Sequence, residues 1–212
     1  LKWDDAYRPD RGKVLTKEEI EALPKFHRYL DKDDDGIPAR TLPGVSPKGA
    51  YFTRGSGHNQ YGGYTEDSAE YQVVMERLLR KFKRAKTLVP APVIEATGTS
   101  DIGLVAIGSS RGAVNEARDI LAKRGIPIDY MRIKAFPFTK EVEAFMASHD
   151  KIFVVEQNRD AQLKSLLTLE TDVPKSKLHS ILHYNGLPMT SEGIVAAVLA
   201  ELGDAARKAA LA

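Results

Sequence analysis

The sequence predicts an α/β protein, a three-layer domain built on a parallel sheet and preceded by an irregular, loop-rich segment and an amphipathic helix. Three observations predict it. From residue 102 to residue 202, apolar runs of strand length alternate with stretches of helical period. Between residues 66 and 86 an apolar stripe at helical spacing is flanked by basic residues and followed by Pro90 and Pro92. Before that, residues 1–65 return repeatedly to Asp, Gly and Pro. The chain therefore divides near Pro90 into a linker segment, 1–92, and an α/β domain, 93–212.

In chain order, residues 17–23 read as a short helix, with Thr16 as N-cap and Glu19 three residues on. The stretch 35–44 is turn-rich, and so much loop is rarely kept without binding something or wrapping a neighbour. Residues 66–86 form a helix whose apolar face is Tyr71, Val74, Met75, Leu78 and Phe82. Arg77, Arg80, Lys81, Lys83, Arg84 and Lys86 occupy the rest, and such a run is read as a solvated face. Pro90 and Pro92 make an extended linker. Residues 102–108 are a continuous apolar run, as a buried parallel strand requires. Helix 112–124 follows, with Gly125 at its C-cap, then strand 126–133 and helix 140–148. Strand 152–156, helix 161–168, strand 178–183 and helix 191–202 complete the alternation, and the Ala-rich tail 204–212 extends the last helix.

Composition excludes several classes. Thirty-one basic and 29 acidic residues leave a net charge of +2, which argues against a dedicated nucleic-acid binder. The absence of cysteine rules out disulfides and any cysteine-ligated zinc or iron–sulfur site within this chain. No apolar run reaches membrane-spanning length and no signal-peptide core opens the chain, so a soluble, cytoplasmic protein is expected. The first residue is Leu1, which reads as a fragment or a cleaved piece.

Four constellations bear on function. Asp31-Lys-Asp-Asp-Asp-Gly36 begins like a calcium loop, but Leu42 stands where a bidentate Glu is needed and Pro38 intrudes, so it is read as an exposed acidic turn without metal. The turn Ser109, Ser110, Arg111, Gly112 lies between a strand and a helix N-terminus, where free N–H groups suit a phosphate or carboxylate. Its plainer reading is a serine N-cap with Gly112 for close packing. Glu156-Gln-Asn-Arg-Asp160 ends the third strand at the C-terminal edge of the sheet, where ligand crevices form; Asn158 equally suits a helix cap, and a subunit contact is the favoured reading over a ligand site. The glycine-rich loop 54–67 carries His58, Asn59 and Gln60 among Gly55, Gly57, Gly62 and Gly63. Such a histidine suits a substrate carboxylate or carbonyl, and the glycines let backbone approach a ligand; the alternative is a loop shaping a subunit interface. No residue is identified as catalytic.

Several segments, in order, resemble the α subunit of the 2-oxoacid:ferredoxin oxidoreductases: Arg11-Gly-Lys-Val-Leu15, Arg28-Tyr29, Asp35-Gly-Ile-Pro-Ala-Arg-Thr-Leu-Pro-Gly44, the loop 55–67, Arg80-Lys81, Ile107-Gly-Ser-Ser-Arg-Gly-Ala113, Val154-Val-Glu-Gln-Asn158 and Asn185-Gly-Leu-Pro188. The resemblance implies a transketolase C-terminal-like α/β domain following the linker out of a thiamine-binding domain. It implies CoA-dependent oxidative decarboxylation of a 2-oxoacid, 2-oxoglutarate first among them, with electrons passed to ferredoxin. Thiamine diphosphate, magnesium and an iron–sulfur cluster are implied in the complex, held mainly outside this chain, with CoA as co-substrate. A β subunit and ferredoxin are the implied partners, in a dimer of heterodimers, with no nucleic acid or membrane. His58, Asn59 and Gln60, with Arg40 from the matched turn-rich segment, are the implied substrate-binding residues. Many members carry His-Asp-Glu where this chain has His58-Asn59-Gln60, a change that removes two carboxylates and keeps hydrogen bonding. Two rivals stay open: another thiamine enzyme of transketolase or 2-oxoacid dehydrogenase type, and a non-catalytic anion-binding assembly module.

Overall fold

Every predicted strand between residues 102 and 183 joins one sheet. The computed structural model describes residues 3–52 and 55–203, so the tail 204–212 and Arg54 at the head of the glycine-rich loop lie outside the described residues. Contacts divide the chain into two compact units, residues 1–87 and 88–212.

In the second unit, β1 (Val93–Glu95), β2 (Ile102–Ile107), β3 (Asp129–Ile133), β4 (Lys151–Glu156) and β5 (Leu178–Leu182) lie in the order β1-β3-β2-β4-β5. β2, β3, β4 and β5 are parallel, while β1 pairs antiparallel with β3, Ile94 opposite Met131. The helices are α3 (Arg111–Lys123), α4 (Lys140–Ser148), α5 (Gln162–Glu170) and α6 (Ser191–Leu202). Two helices precede them in the first unit, α1 (Lys17–Ala22) and α2 (Ser68–Ala85). Because successive side chains of a strand face opposite sides, the apolar run of β2 feeds two cores at once. Leu104 and Ala106 pack with Val114, Leu121, Ile194 and Val198 of α3 and α6, whereas Val105 packs with Val142, Met146 and Leu167 of α4 and α5. The architecture is the expected three-layer α/β fold, mostly parallel rather than wholly so.

The antiparallel edge strand is a first correction, because the strand–helix alternation read from the sequence begins only at residue 102. β1 is three residues long and held partly by side chains: Glu95 accepts a hydrogen bond from Arg118 Nη1 at 2.6 Å. A second correction concerns β3, which begins at Asp129 rather than residue 126, because Pro127 has no N–H to give a ladder. Gly103 in β2 is a packing requirement, since a Cβ there would lie 2.9 Å from the Phe145 ring.

In the first unit, α1 (Lys17–Ala22) is closed by the expected capping box, Thr16 and Glu19 each satisfying the other's backbone N–H. Val14 and Arg40 form a parallel bridge, and Leu15 N donates to Arg40 O at 2.9 Å. α2 (Ser68–Ala85) starts at Asp67, whose side chain accepts from Glu70 N.

The packing of α2 overturns two expectations. Its buried side chains are Val74 and Arg77, while Tyr71, Met75 and Phe82 of the expected apolar face are exposed. The acidic turn is not a free surface turn but clasps the basic side of α2. Arg80 pairs with Asp31 and Asp34, Arg84 with Asp35, and Arg77 Nη1 donates to Gly36 O at 3.2 Å. Sequence pattern equates charge with solvent, and here charges of opposite sign on two segments pair with each other.

Candidate functional site

The glycine-rich loop folds back on itself through an antiparallel bridge between His58 and Tyr64. Its centre is Asn59. The Asn59 side-chain oxygen accepts from Tyr61 N and Gly63 N, both at 3.0 Å, and the Asn59 N–H donates to Gly63 O at 2.9 Å. This is an Asx turn, a local structure for which asparagine is favoured because its short amide reaches the backbone ahead of it. Gly62 completes the turn with φ +83°, and a Cβ there would already touch the Tyr29 ring at 3.6 Å.

That fold sets the chemistry of the neighbouring side chains. His58 is half-buried, stacked on Tyr29 with ring centroids 4.0 Å apart and planes inclined by 24°. Its Nδ1 lies 3.0 Å from the Asn59 carbonyl, an acceptor that makes Nδ1 the protonated nitrogen of the neutral ring. Nε2 has no partner among the described residues and is thus the nitrogen able to accept a hydrogen bond from a ligand. The Gln60 side chain is half-buried and has no hydrogen-bond partner among the described residues, leaving both donor and acceptor available. Tyr29 and Arg28 were not singled out from sequence as site residues, although an aromatic–cation pair close to a histidine loop is a recognisable signal. Arg28 lies with its guanidinium carbon 5.9 Å from the Tyr29 ring centroid.

The structure does not bring Arg40 into this group. The Arg40 guanidinium donates to Arg11 O at 2.7 Å, bracing the Val14–Arg40 bridge, and no described contact joins it to His58.

In the second unit, the turn Ser109–Gly112 departs from its plainer reading. Neither serine caps α3, and a Cβ on Gly112 would meet nothing within 4 Å, so this glycine is not required for packing. The serine hydroxyls instead accept from Gln157 Nε2, at 3.0 Å for Ser109 and 3.1 Å for Ser110, tying the end of β2 to the end of β4. Arg111 is exposed and makes no hydrogen bond or ion pair among the described residues. A 3-10 turn, Gly108–Ser110, runs directly into α3, and neither start carries a side-chain cap, so the dipole at this end of β2 favours an anion.

The end of β4 is used internally. The Glu156 carboxylate is buried and accepts from Leu163 N at 2.6 Å, Asn158 Nδ2 at 2.8 Å and Lys164 N at 3.0 Å. The side-chain oxygen of Asn158 accepts from Asp160 N and Gln162 N. The start of α5 is therefore occupied by the chain's own oxygens and offers nothing to a ligand.

Sequence reasoning passed over a further polar group at the opposite end of the sheet. His149, at the end of α4, bridges Phe145 O at 2.8 Å and Asp129 Oδ2 at 3.2 Å, all in the core. Burial pushes the Asp129 carboxyl up, but hydrogen bonds from the Thr97 N–H and hydroxyl and from His149 outweigh it and hold the group below the usual carboxylate range. Among the described residues no group of three or more His, Cys, Asp or Glu side chains is arranged to hold a metal ion. No helix among them is long and apolar enough to cross a membrane.

No protein-family model matches the chain. It is 28% identical over 193 residues to subunit alpha of 2-oxoacid:ferredoxin oxidoreductase 2 of Aeropyrum pernix, covering 89% of this chain and 28% of that relative. It is 27% identical over 212 residues to subunit alpha of 2-oxoacid:ferredoxin oxidoreductase 1 of Sulfurisphaera tokodaii, covering 98% of this chain and 32% of that relative. Among solved structures it is similar to the 2-oxoglutarate:ferredoxin oxidoreductase from Magnetococcus marinus with 2-oxoglutarate, coenzyme A and succinyl-CoA bound. That match has a TM-score of 0.75 at 26% identity, over 86% of this chain and 32% of that one. The chain thus spans roughly a third of the length of the relatives it matches.

Proposed function

We propose that this chain is the C-terminal region of the α subunit of a thiamine diphosphate-dependent 2-oxoacid:ferredoxin oxidoreductase. The observation that carries the reading is the likeness to two such α subunits over 89% and 98% of the chain. In this reading the enzyme decarboxylates a 2-oxoacid oxidatively, transfers the acyl group to CoA and passes the electrons to ferredoxin. The likeness to a 2-oxoglutarate enzyme supports 2-oxoglutarate as the substrate. The chain has no cysteine and no matched metal–diphosphate motif, which supports a cluster and Mg²⁺–thiamine diphosphate held by a β subunit or by the rest of the α subunit. The unpartnered Nε2 of His58 and the amide of Gln60 support a role for that loop along the substrate or CoA channel. The uncapped start of α3, with Ser109 and Arg111, supports contact with an anionic group, whereas Arg40 keeps a bracing role.

The test is an assay of the complex captured from source cells with this chain as bait. CoA-dependent reduction of a viologen dye is followed with 2-oxoglutarate and, separately, with pyruvate. Faster reduction with 2-oxoglutarate is expected. Reduction by pyruvate alone would keep the family and overturn the substrate, and no reduction by either acid from a complex containing thiamine diphosphate would overturn both.

A further inference from the structure

The side chain of Arg77 is buried with hydrogen-bonding capacity that the described residues do not use. The residue is 8% exposed, yet its guanidinium makes one hydrogen bond among the described residues, from Nη1 to Gly36 O at 3.2 Å. Its Nε is buried without a partner. The carboxylates nearby are already engaged. Asp31 accepts from Gly36 N at 2.8 Å, Asp35 N at 3.3 Å and Arg80 Nη2 at 3.4 Å. Asp35 pairs with Lys13 at 2.8 Å and with Arg84, and Asp33 with Lys13 at 2.7 Å. Arg28 is likewise without a carboxylate, its Nη1 donating only to Ala39 O at 3.4 Å. Arg28 and Arg80 are the cations that repel Arg77, and burial together with that repulsion lowers its pKa against the pull of Asp31.

A buried guanidinium with an unpaired Nε and no hydrogen-bonded carboxylate is costly, and native structures resolve such a group with a partner. Arginine's planar fork selects the partner's chemistry, because two parallel N–H donors match the two oxygens of a carboxylate or phosphate. From the unused hydrogen-bonding capacity of Arg77 and Arg28, neither hydrogen-bonded to a carboxylate, with Tyr29 and its stacked His58 beside them, we infer that the first unit holds a binding site for an oxyanion, a carboxylate or phosphate group of a small ligand. The site stands whether or not the oxidoreductase reading holds.

The experiment is thermal unfolding of the 212-residue chain in rising inorganic phosphate or malonate, each against sodium chloride of equal ionic strength. A ligand that binds only the folded state raises the midpoint in a concentration-dependent way. The wild-type midpoint is expected to rise by several degrees with at least one anion beyond the chloride control, and the anion effective at lower concentration identifies the source. Arg77→Met, which keeps the bulk and removes the charge, is expected to abolish the response. Arg28→Met, at a partly exposed position, is expected to weaken it about tenfold and serves as the test if the Arg77 variant fails to fold. A wild-type response no greater than chloride, or variants that respond like wild type, would overturn the site.

Discussion

Gly36 lies against α2 so closely that a Cβ on it would sit 2.4 Å from Lys81 N. Its φ of +82° is independently unfavourable to any other residue. The two requirements can be separated, because Gly44 has φ +81° with nothing within 4 Å of its notional Cβ. Gly44→Ala is expected to cost about 1 kcal/mol, from backbone conformation alone. Gly36→Ala is expected to cost about 3 kcal/mol or more, because the turn must also retreat from the helix and loosen the pairs of Asp31 and Asp35 with Arg80 and Arg84. Urea denaturation of the two variants is the measurement, and equal losses would refute the close approach.

Glu156 offers a second test, on how a helix start is satisfied. Its two carboxylate oxygens accept from three donors. Glu156→Gln keeps the shape but turns an N–H₂ toward backbone N–H groups that need acceptors. The expected loss is about 2 kcal/mol, with faster amide exchange at Leu163 and Lys164. Exchange that stays at the wild-type rate at those two amides would show that the carboxylate is not their essential acceptor.

Legibility in the sequence followed the distance over which each element is decided. The parallel strands were legible because a strand buried on both faces must be continuously apolar, as Ile152–Val155 within β4 shows. β1 was not, because three residues beside two prolines carry no period and their partner β3 is more than thirty residues away. The docking of α2 was illegible for a different reason: Arg77 is buried by a charged turn, and one-dimensional pattern places both in water. In the glycine-rich loop the turn itself was legible from its glycines, and an Asx turn could have been read at Asn59 from its position before Gly62 and Gly63. That Asn59 closes the turn depends on its short side chain, and this leaves the Gln60 amide without a hydrogen bond among the described residues.

The buried Asp129–His149 contact makes stability depend on pH in a defined direction. The folded-state pKa of Asp129 is depressed, so its contribution is fully present above the unfolded value, about 3.9, and is lost as pH falls through the lower folded value. Asp129→Asn removes this titration and strands His149 and Thr97 with a poorer acceptor. A loss of about 3 kcal/mol is expected at neutral pH, shrinking as the pH approaches 3 because the wild type loses there what the variant already lacks. Denaturation midpoints at pH 7, 5 and 3.5 would decide it, and a gap between the two proteins that is constant with pH would mean that Asp129 does not titrate as described.

The loop makes the sharpest distinction between adjacent residues. Asn59→Ala removes the acceptor of two backbone N–H groups, so it is expected to destabilise the first unit by about 1–2 kcal/mol and to disturb His58 through the backbone. Gln60→Ala breaks no described hydrogen bond, so its stability should stay within about 0.5 kcal/mol of wild type. In the proposed oxidoreductase complex, any effect it has on activity would then report on ligand contact and not on folding. His58→Ala removes the free Nε2 and the stack on Tyr29, and in the intact complex it is expected to lower turnover roughly tenfold, the loss of one ligand hydrogen bond. Steady-state kinetics of the three variants separate the cases. Unchanged kcat and KM in both His58→Ala and Gln60→Ala would remove the loop from the substrate and CoA path and leave it as a structural turn.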